Sequence, residues 1–265
     1  MNTILTKYHI DKEINHGSFG KIYSGTNKIS EDRVAIKIET RENSLIKNEA
    51  IMYQLMGKIK GIPKFRMYLT DTRYSYLVLD LLGESLKTYK ERICDNVQME
   101  NVINIGIQLT KILQEIHKMG IVHRDIKPQN IVFDKDCKNI FLIDFGFSKK
   151  IIVESGVKTS HIKKKQISNI IGSPNFISIN VHKLIEPSRR DDIESMIYVL
   201  LYLTMDILPW AEASNENTRI LKENLIYNST YNSTYNKTYI NILIYIKTLQ
   251  FEEQPDYNYI ISMIK

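Results

Sequence analysis

The hydrophobic pattern of this chain changes near residue 83, and that change constrains the fold more than any other feature. Before it, short runs of β-branched and aromatic residues lie between Gly, Asn and Asp, a pattern typical of strands. The predicted strands cover residues 10–14, 21–24, 33–38, 65–70 and 74–81, and one helix is predicted over residues 44–56. The first part of the chain therefore predicts a small β-rich lobe.

After the change, helical spacing dominates the chain. Apolar residues recur at i, i+4, i+7, i+8 and i+11 in one stretch, which predicts a helix with a single buried face. The residues of that face are Ile105, Leu109, Ile112, Leu113 and Ile116. Residues 193–205 are apolar on nearly every side, so a fully buried helix is predicted there. Two short apolar runs, residues 131–133 and 140–143, flank a turn and predict a hairpin.

These patterns predict an α+β fold with two lobes. The small β-rich lobe is expected over residues 1–82 and the larger, mainly helical lobe over residues 83–265, the two forming one domain. A chain of 265 residues is long enough for one large domain or two small ones. Its 43% hydrophobic and 25% charged residues are typical of a globular protein, which excludes a chain that is mainly disordered.

Charge and cysteine content limit which ligands and sites the chain is expected to have. The chain has 36 basic and 30 acidic residues, and this net charge of +6 suits a phosphate-bearing or acidic ligand without implying nucleic acid. Cys94 and Cys137 have no CxxC spacing, so neither a zinc site nor a disulfide framework is predicted. No signal peptide and no apolar run of about 20 residues is visible, so we expect a protein of the cytoplasm, the nucleus or both, with no membrane partner. We also expect a monomer.

One stretch has low complexity. Residues 227–238 contain the near-repeat YNST, YNST, YNKT, with N-x-S/T sequons at Asn228, Asn232 and Asn236. Glycosylation would need a secreted protein, which nothing else in the sequence supports. The stretch is therefore predicted to be a polar surface loop.

Two motifs in the first lobe have the chemistry of phosphate binding. The glycines of Asn15–Gly20 (NHGSFG) would let backbone N–H groups approach phosphate oxygens, although many ordinary hairpins have similar glycines. Lys37 ends the apolar run VAIK. It is either a strand-edge lysine reaching water or a phosphate ligand held by a carboxylate of the next helix, for which Glu49 is the candidate.

The second lobe contains the strongest motif, His123–Asn130 (HRDIKPQN). Within six residues it supplies a carboxylate, Asp125, an ammonium group, Lys127, and an amide, Asn130. Phosphoryl transfer needs a group that accepts the proton of the attacking hydroxyl, a cation near the moving phosphoryl group and hard oxygen ligands for Mg²⁺. A second carboxylate, Asp144 of the sequence DFG, follows a predicted strand.

The ordered set GxxG, VAIK, HRDIKPQN and DFG resembles the eukaryotic protein kinases. More narrowly, the chain resembles the casein kinase 1 family of Ser/Thr kinases over roughly residues 8–262. The stretches that carry this likeness are Leu81–Leu86, Gly172–Asn180, Ser188–Ser195, Leu208–Trp210 and Phe251–Tyr259. The resemblance implies a bilobal kinase fold and transfer of the ATP γ-phosphoryl group, with Mg²⁺, to Ser or Thr of proteins.

The resemblance also implies roles for residues of the first lobe. Gly17 and Gly20 would cover the ATP phosphates, with Asn15 where most kinases have the first glycine. Lys37 would hold the α- and β-phosphates while paired with Glu49. The other nucleotide-binding positions it implies are Ile22, Ala35, Leu79 as gatekeeper, Asp80 and Leu82, the last two through their backbone.

In the second lobe, the resemblance makes Asp125 the catalytic base and places Lys127 on the γ-phosphate. Asn130 and Asp144 would bind Mg²⁺ and so contribute to the nucleotide site. His123 is predicted to be a packed structural residue.

A lysine-rich stretch suggests the substrate. Six lysines lie between Asp144 and Asn180: Lys149, Lys150, Lys158, Lys163, Lys164 and Lys165. They form either a solvated loop or, as the resemblance implies, a docking site for acidic or phosphorylated protein segments, with Arg189 as an anion contact. Glu212 replaces a glycine of the family and would weaken the preference for phosphorylated substrates.

Two other functions are compatible with the motifs. Asn15, in place of a glycine, leaves open a catalytically weak pseudokinase that serves as a scaffold. A small-molecule kinase with the same fold is the other alternative, but Ser178–Asn180 and Ser188–Ser195 belong to the protein-kinase pattern.

Overall fold

The computed structural model describes residues 3–16, 20–41, 45–93, 97–155, 158–227 and 234–265. The chain groups into two compact units. The first consists of Met1–Glu84 and Val132–Phe147, and the second consists of Ser85–Ile131 and Ser148–Lys265. The predicted lobe limits, residues 1–82 and 83–265, stay a prediction.

The first unit is built on one antiparallel sheet. Its elements are α1 (Thr3–Lys7), β1 (Tyr8–His16), β2 (Gly20–Asn27), β3 (Arg33–Thr40), α2 (Ile46–Met56), β4 (Phe65–Thr70) and β5 (Tyr74–Asp80). The five strands pair in the order β1-β2-β3-β5-β4. All five predicted strands and the predicted helix are therefore confirmed within a few residues at their ends, although Ser44, the predicted start of the helix, lies outside the described residues.

The two faces of this sheet have different roles because successive side chains of a strand point to opposite faces. Val34 and Ile36 of β3 lie in the core beneath the sheet. The other members of this core are Ile4, Tyr8, Tyr76 and Val78. Ala35 and Lys37 alternate with the two core residues of β3 and lie on the other face of the sheet. Their cross-strand partners in β5 are Leu79 and Leu77. The register of β3 thus places the candidate phosphate-binding lysine away from the core.

The predicted hairpin forms between β7 (Ile131–Phe133) and β8 (Ile140–Leu142). Backbone hydrogen bonds attach it to earlier parts of the first unit: Gly83 N donates to Phe133 O, and Leu142 N to Gly61 O, both at 2.8 Å. The DFG sequence that follows β8 consequently lies in the first unit.

The second unit is mainly helical. Its helices are α3 (Leu86–Arg92), α4 (Met99–Lys118), α5 (Ile179–His182), α6 (Arg189–Thr204), α7 (Asn215–Asn224), α8 (Thr234–Thr248) and α9 (Tyr257–Ile264), with 3₁₀ turns at Pro128–Asn130 and Leu225–Tyr227. Two short antiparallel pairs join them. These are β6 (Ile121–Val122) with β9 (Lys149–Lys150), and β10 (Ile152–Ser155) with β11 (Lys158–His161).

The core of this unit lies around α6 and α4. Every residue of α6 from Ile193 to Leu201 is buried, which confirms the predicted fully buried helix. The predicted face of α4 is buried as well. Gly106 lets the two helices approach, because a Cβ at this position would lie 3.1 Å from Leu200 Cδ1.

The predicted loop over residues 227–238 is wrong at its C-terminal end, where α8 begins at Thr234. Tyr239, Ile242, Leu243 and Ile246 are buried at helical spacing, so packing of this face stabilises the helix. Once this face is packed, adding a further residue to the helix costs little, so α8 extends back into the polar repeat. Asn228, Asn232 and Cys94 lie outside the described residues, and Cys137 is an exposed free thiol.

The α+β class with a sheet-based and a helical part is confirmed. Within the described ranges, none of the helices is long and apolar enough to cross a membrane.

Candidate active site

In the first unit, three carboxylates surround the ammonium group of Lys37. Its Nζ lies 2.8 Å from Glu49 Oε2, 3.2 Å from Asp144 Oδ1 and 3.4 Å from Glu39 Oε1. Burial acts to lower the pKa of Lys37, but the charges of Glu49 and Asp144 outweigh it and raise this pKa. Lys37 is therefore a fixed positive charge at neutral pH.

The predicted Lys37–Glu49 pair forms, and Glu39 is a third member that the motifs did not indicate. Glu39 is buried, and its Oε2 accepts a hydrogen bond from Leu45 N, at the start of α2, at 2.9 Å. This bond fixes the beginning of the helix that carries Glu49. Burial raises the pKa of Glu49 to about 7, with Lys37 opposing and Asp144 adding to the effect.

The DFG residues are attached to α2. Asp144 has a left-handed backbone, φ +65°, which a non-glycine residue adopts at an energetic cost. Its N–H donates to the Tyr53 hydroxyl at 3.2 Å, and the Phe145 ring packs edge-on against Tyr53 with the centroids 5.2 Å apart. Asn48 Nδ2 donates to Gly146 O at 3.1 Å. These contacts hold the strained Asp144 beside Lys37.

The structure describes the two ends of the predicted phosphate-binding turn. Asn15 of β1 lies opposite Ile22 of β2, and its Oδ1 accepts a hydrogen bond from His16 N at 2.8 Å. Gly20 begins β2 at a position where a Cβ would lie 2.2 Å from Ile38 O, so only glycine fits. Gly17 lies outside the described residues.

The predicted nucleotide-binding side chains share one face of the sheet. Ile22 is opposite Lys37, and Ala35 is opposite Leu79, which places them on the same face as Lys37. At the end of β5, the N–H groups of Asp80 and Leu81 donate to Lys64 O and Arg33 O. The backbone N–H of Leu82 has no such partner among the described residues, so of these three N–H groups it is the one that remains for a base.

In the second unit, the Asp125 carboxylate accepts four hydrogen bonds. Lys127 Nζ and Asn130 Nδ2 donate to Oδ2 at 2.6 and 3.1 Å. Ser173 donates to Oδ1 through its backbone N and its hydroxyl, at 3.1 and 3.2 Å. Asp125, Lys127 and Asn130 thus lie together as the HRDIKPQN motif predicted, and Ser173 joins them from a distant part of the chain.

The backbone just before Asp125 is held by a buried carboxylate of α6. Asp192 accepts hydrogen bonds from His123 N at 2.7 Å and from Arg124 N at 2.9 Å. Arg124 has a left-handed backbone, φ +71°, so these bonds compensate strain next to Asp125. Burial acts to raise the pKa of Asp192, but the hydrogen bonds from the His117 side chain and from His123 N help to lower it overall.

His123 is fully buried, as predicted for a structural residue, and its Nδ1 accepts a hydrogen bond from Asp125 N at 3.2 Å. Two groups with the chemistry of phosphoryl transfer are therefore built, one in each unit. A family model described as "Protein kinase domain" matches residues 8–252.

The chain belongs to the protein kinase family. It is accordingly a phosphotransferase, and the family implies ATP as the phosphoryl donor. Each unit has an oxygen donor of the kind that Mg²⁺ prefers: the Asp144 carboxylate in the first, and in the second the Asn130 amide oxygen, which its bonds to Asp125 do not use. No cluster of three or more His, Cys, Asp or Glu residues that could hold a metal occurs in the described ranges.

Several basic residues of this kinase share one buried carboxylate. Buried Glu186 accepts Arg124 Nη1 at 3.2 Å and lies 2.9 Å from Lys149 Nζ. Lys165 Nζ lies 3.8 Å from the same carboxylate. Lys163 and Lys164 are exposed.

Arg189, the predicted anion contact, is largely buried. It is only 7% exposed at the start of α6, and its Nη1 donates to Glu252 O at 3.0 Å. The sequence motif placed Arg189 next to the acidic start of a buried helix, and the burial of that helix takes the guanidinium group inside. The contact of Arg189 with a substrate anion stays a prediction.

Sequence reasoning missed several residues that position the site. Glu39, Tyr53, Ser173 and Asp192 lie outside the motif positions to which roles were given. Asp192 had a local signal, because a pair of carboxylates at the start of an otherwise apolar helix needs buried partners. Glu39 lies two residues after Lys37 on the same face of β3, which is also a local signal. Tyr53 and Ser173 act through long-range contacts.

Proposed function

We propose that this kinase is a Ser/Thr protein kinase of the casein kinase 1 type, which uses Mg-ATP and acts on acidic or phosphorylated protein segments. Membership of the protein kinase family supports the reaction class. The narrower assignment rests on the stretches that resemble casein kinase 1 and on how they contact one another.

The observation that carries this assignment is the contact between two of those stretches. Ser178 Oγ and Asn180 Nδ2 both donate to Asp191 Oδ1, at 2.6 and 3.0 Å. Ile179 N donates to Glu194 Oε1 at 2.8 Å. The Ser-Ile-Asn sequence and the acidic start of α6 therefore bind each other residue by residue, which supports reading them as one family-specific unit.

The hydrogen bonds of Asp125 support its role as the base. Its carboxylate can accept the proton of a substrate hydroxyl, and the Ser173 hydroxyl shows that an alcohol fits against Oδ1. Lys127 donates to Oδ2 of the same carboxylate, so its ammonium group lies beside the proposed base. When bound, Mg-ATP would supply the phosphoryl group. Catalysis by this chain would then come from positioning and charge stabilisation.

In the first unit, Lys37 is the group proposed to hold the ATP phosphates. Three carboxylates fix its ammonium group, and Asp144, with its side chain 33% exposed, is the one of the three that a metal ion can reach. The substrate preference is proposed from the lysines: Lys163 and Lys164 are exposed and have no carboxylate within ion-pair distance among the described residues.

The test is phosphorylation of casein by the purified chain with Mg-ATP, followed by phosphoamino-acid analysis. We expect phosphoserine and phosphothreonine, loss of activity in EDTA, and loss of at least 10³-fold in the Asp125→Asn variant, as removal of a positioned base and its charge predicts. Phosphotyrosine as the main product would contradict the Ser/Thr assignment. ATP binding without transfer in the wild type would instead favour the scaffold alternative.

A second measurement addresses the substrate class. A peptide with phosphoserine, its unphosphorylated form and a neutral peptide of equal length are compared by KM. Equal KM values for all three peptides would contradict the proposed preference and leave the kinase activity standing.

A further inference from the structure

Lys222 of α7 belongs to no recognised motif, yet its environment is unusual for a lysine. Its side chain is 1% exposed. Nζ donates to two backbone carbonyls, Pro174 O and Ile177 O, at 2.8 Å each, and lies 3.2 Å from His182 Nε2. An ammonium group has three N–H donors, and here each has an acceptor.

The surroundings of Lys222 act on the charge of its ammonium group in both directions. Nζ lies 4.5 Å from the centre of the Tyr198 ring and 5.5 Å from that of Trp210, both favourable cation–π distances. Burial lowers the pKa of His182 to about 4, with Lys222 adding to the effect, so His182 is neutral and can accept. Burial also lowers the pKa of Lys222, to about 7, while Glu194 opposes the shift.

The two carbonyls belong to a segment of five residues, Ser173–Ile177, that we call the Ser173 segment. Its first residue donates two hydrogen bonds to Asp125 Oδ1. Its middle is held by Trp210 Nε1, which donates to Asn175 O at 2.9 Å. Before it, Gly172 has φ +96°, and a Cβ there would lie 2.7 Å from Arg124 O.

The Ser173 segment is therefore fixed at two places. One end contacts the carboxylate proposed as the base, and the carbonyls of three residues bind donors from α7 and from Trp210. A backbone that presents carbonyls to buried donors in this way can change position only by breaking several hydrogen bonds at once. A substrate hydroxyl that approaches Asp125 Oδ1 must take the place of the Ser173 hydroxyl, so the position of this segment determines how the substrate reaches the base.

We infer that Lys222 is a positioning residue for protein substrates: it fixes the Ser173 segment beside Asp125 through Pro174 O and Ile177 O. The inference rests on the proposed function in so far as the segment borders the acceptor site. It assigns no contact with ATP to Lys222.

The test compares Lys222→Met with Lys90→Met. Lys90 is a matched control in the same unit: it is buried, donates to Tyr202 O and Met205 O at 2.6 and 2.7 Å, and lies 4.2 Å from the centre of the Tyr202 ring. Both variants lose a buried ammonium group and its carbonyl bonds, so similar losses of stability are expected. Only Lys222→Met removes bonds to the Ser173 segment.

The first readout is hydrogen exchange of the full chain. Phe176 N and Ile177 N donate to Ser173 O, at 2.8 and 3.0 Å, and report on the segment. In Lys222→Met we expect their exchange to accelerate by about tenfold or more relative to Lys90→Met, because two charge-assisted hydrogen bonds are lost. Exchange no faster than in Lys90→Met would overturn the inference.

The second readout is steady-state kinetics with a peptide substrate. In Lys222→Met, KM for the peptide is expected to rise about tenfold while KM for ATP stays within about twofold, since the change affects only the acceptor side. An equal rise of both, or an equal effect in Lys90→Met, would show a general loss of structure and overturn the inference. If wild-type protein transfers no phosphate, the proposed function fails, and hydrogen exchange still decides the role of Lys222.

Trp210→Phe keeps the test decisive if Lys222→Met does not fold. This variant keeps a ring in place but removes the Nε1 donor to Asn175 O. Faster exchange at Phe176 and Ile177, with a higher peptide KM and an unchanged ATP KM, would support fixation of the segment. Unchanged exchange would overturn it.

Discussion

At the scale of single residues, Lys37 is surrounded by more negative charge than its ammonium group can neutralise. Glu39, Glu49 and Asp144 all lie within 3.4 Å of its Nζ, and the first two are buried. A buried carboxylate that loses its cation is costly because water cannot replace the partner. The stability of the first unit should therefore depend on this one ammonium group.

We expect Lys37→Met to lower the free energy of unfolding by about 3–5 kcal/mol, the usual cost of removing one partner from a buried ion pair. Glu49→Gln should partly compensate, so the double variant should lose less than the sum of the two single variants. Urea denaturation of the four proteins measures this coupling. Strictly additive losses would show that the Lys37–Glu49 contact contributes nothing to stability.

His182 gives the molecule a specific response to acid. Burial, with Lys222 adding to it, lowers the pKa of His182 to about 4 from 6.5. Between these values the unfolded chain binds more protons at this position, so stability should fall as the pH drops from 6.5 to 4. Allowing for partial exposure, we expect a contribution of about 1–2 kcal/mol.

Denaturation midpoints at pH 7.5 and pH 5 measure this effect. In His182→Gln, a neutral amide can still accept from Lys222 without titrating, so the fall in stability at pH 5 should be smaller than in the wild type. Identical pH dependence of the two proteins would mean that His182 titrates normally.

At the scale of elements, the first turns of α6 organise several backbone stretches. Asp191 binds Ser178, Asn180 and Ser188, and Asp192 binds the residues before Asp125. A helix that is buried all round has no solvent to satisfy such charges, so each carboxylate needs protein donors. The acidic start of α6 therefore has two roles: it forms a capping box, and it holds the backbone before Asp125 in place.

Asp192→Asn and Ser188→Ala separate these two roles. In Asp192→Asn an amide NH₂ faces backbone donors, which should shift the Asp125 loop and lower kcat by about tenfold or more. Ser188→Ala removes only the cap and should cost about 1 kcal/mol of stability with kcat unchanged. Rate measurements at saturating ATP and peptide, together with urea denaturation, distinguish the two. Equal kcat in Asp192→Asn and wild type would contradict the fastening role.

The elements that the sequence predicted well have a local hydrophobic signal. The strands of the first unit and the buried face of α4 follow periods of two and about 3.6 residues, so each could be predicted without knowing its partners. The start of α8 lies in a polar repeat whose local preference favours a turn, and only packing of Tyr239 and Ile242 decides for a helix. The hairpin of β10 and β11 was missed because its strands are largely polar.

At the scale of the whole molecule, the motif residues could be predicted while many of the residues that support them could not. Lys37, Asp125 and Asn130 occur in short sequence patterns with a chemical meaning. Ser173 lies 48 positions from Asp125, and Lys222 lies 45 positions from Ile177, so no local pattern relates them. Burial of Arg189 similarly depends on Glu252, which is 63 residues away.

The net charge of +6 is also a property of the whole molecule, and its effect on substrates can be separated from that of the lysine-rich stretch. Because the Debye length falls below about 10 Å above 0.1 M salt, attraction between exposed lysines and an acidic peptide should weaken with salt. We expect KM for an acidic peptide to rise about three- to tenfold between 50 and 300 mM NaCl, with little change for a neutral peptide.

Charge-reversal variants identify which lysines attract the acidic peptide. Lys163→Glu/Lys164→Glu changes the net charge by four units next to the proposed docking stretch, and Lys58→Glu/Lys60→Glu makes the same change at exposed positions of the first unit. Local docking predicts a large rise in KM for the acidic peptide at 50 mM NaCl only in the first variant, because exposed charges act over about one Debye length. Equal rises in both variants would mean that the overall positive field attracts the substrate, and the stretch containing Lys163 and Lys164 would then be an ordinary solvated loop.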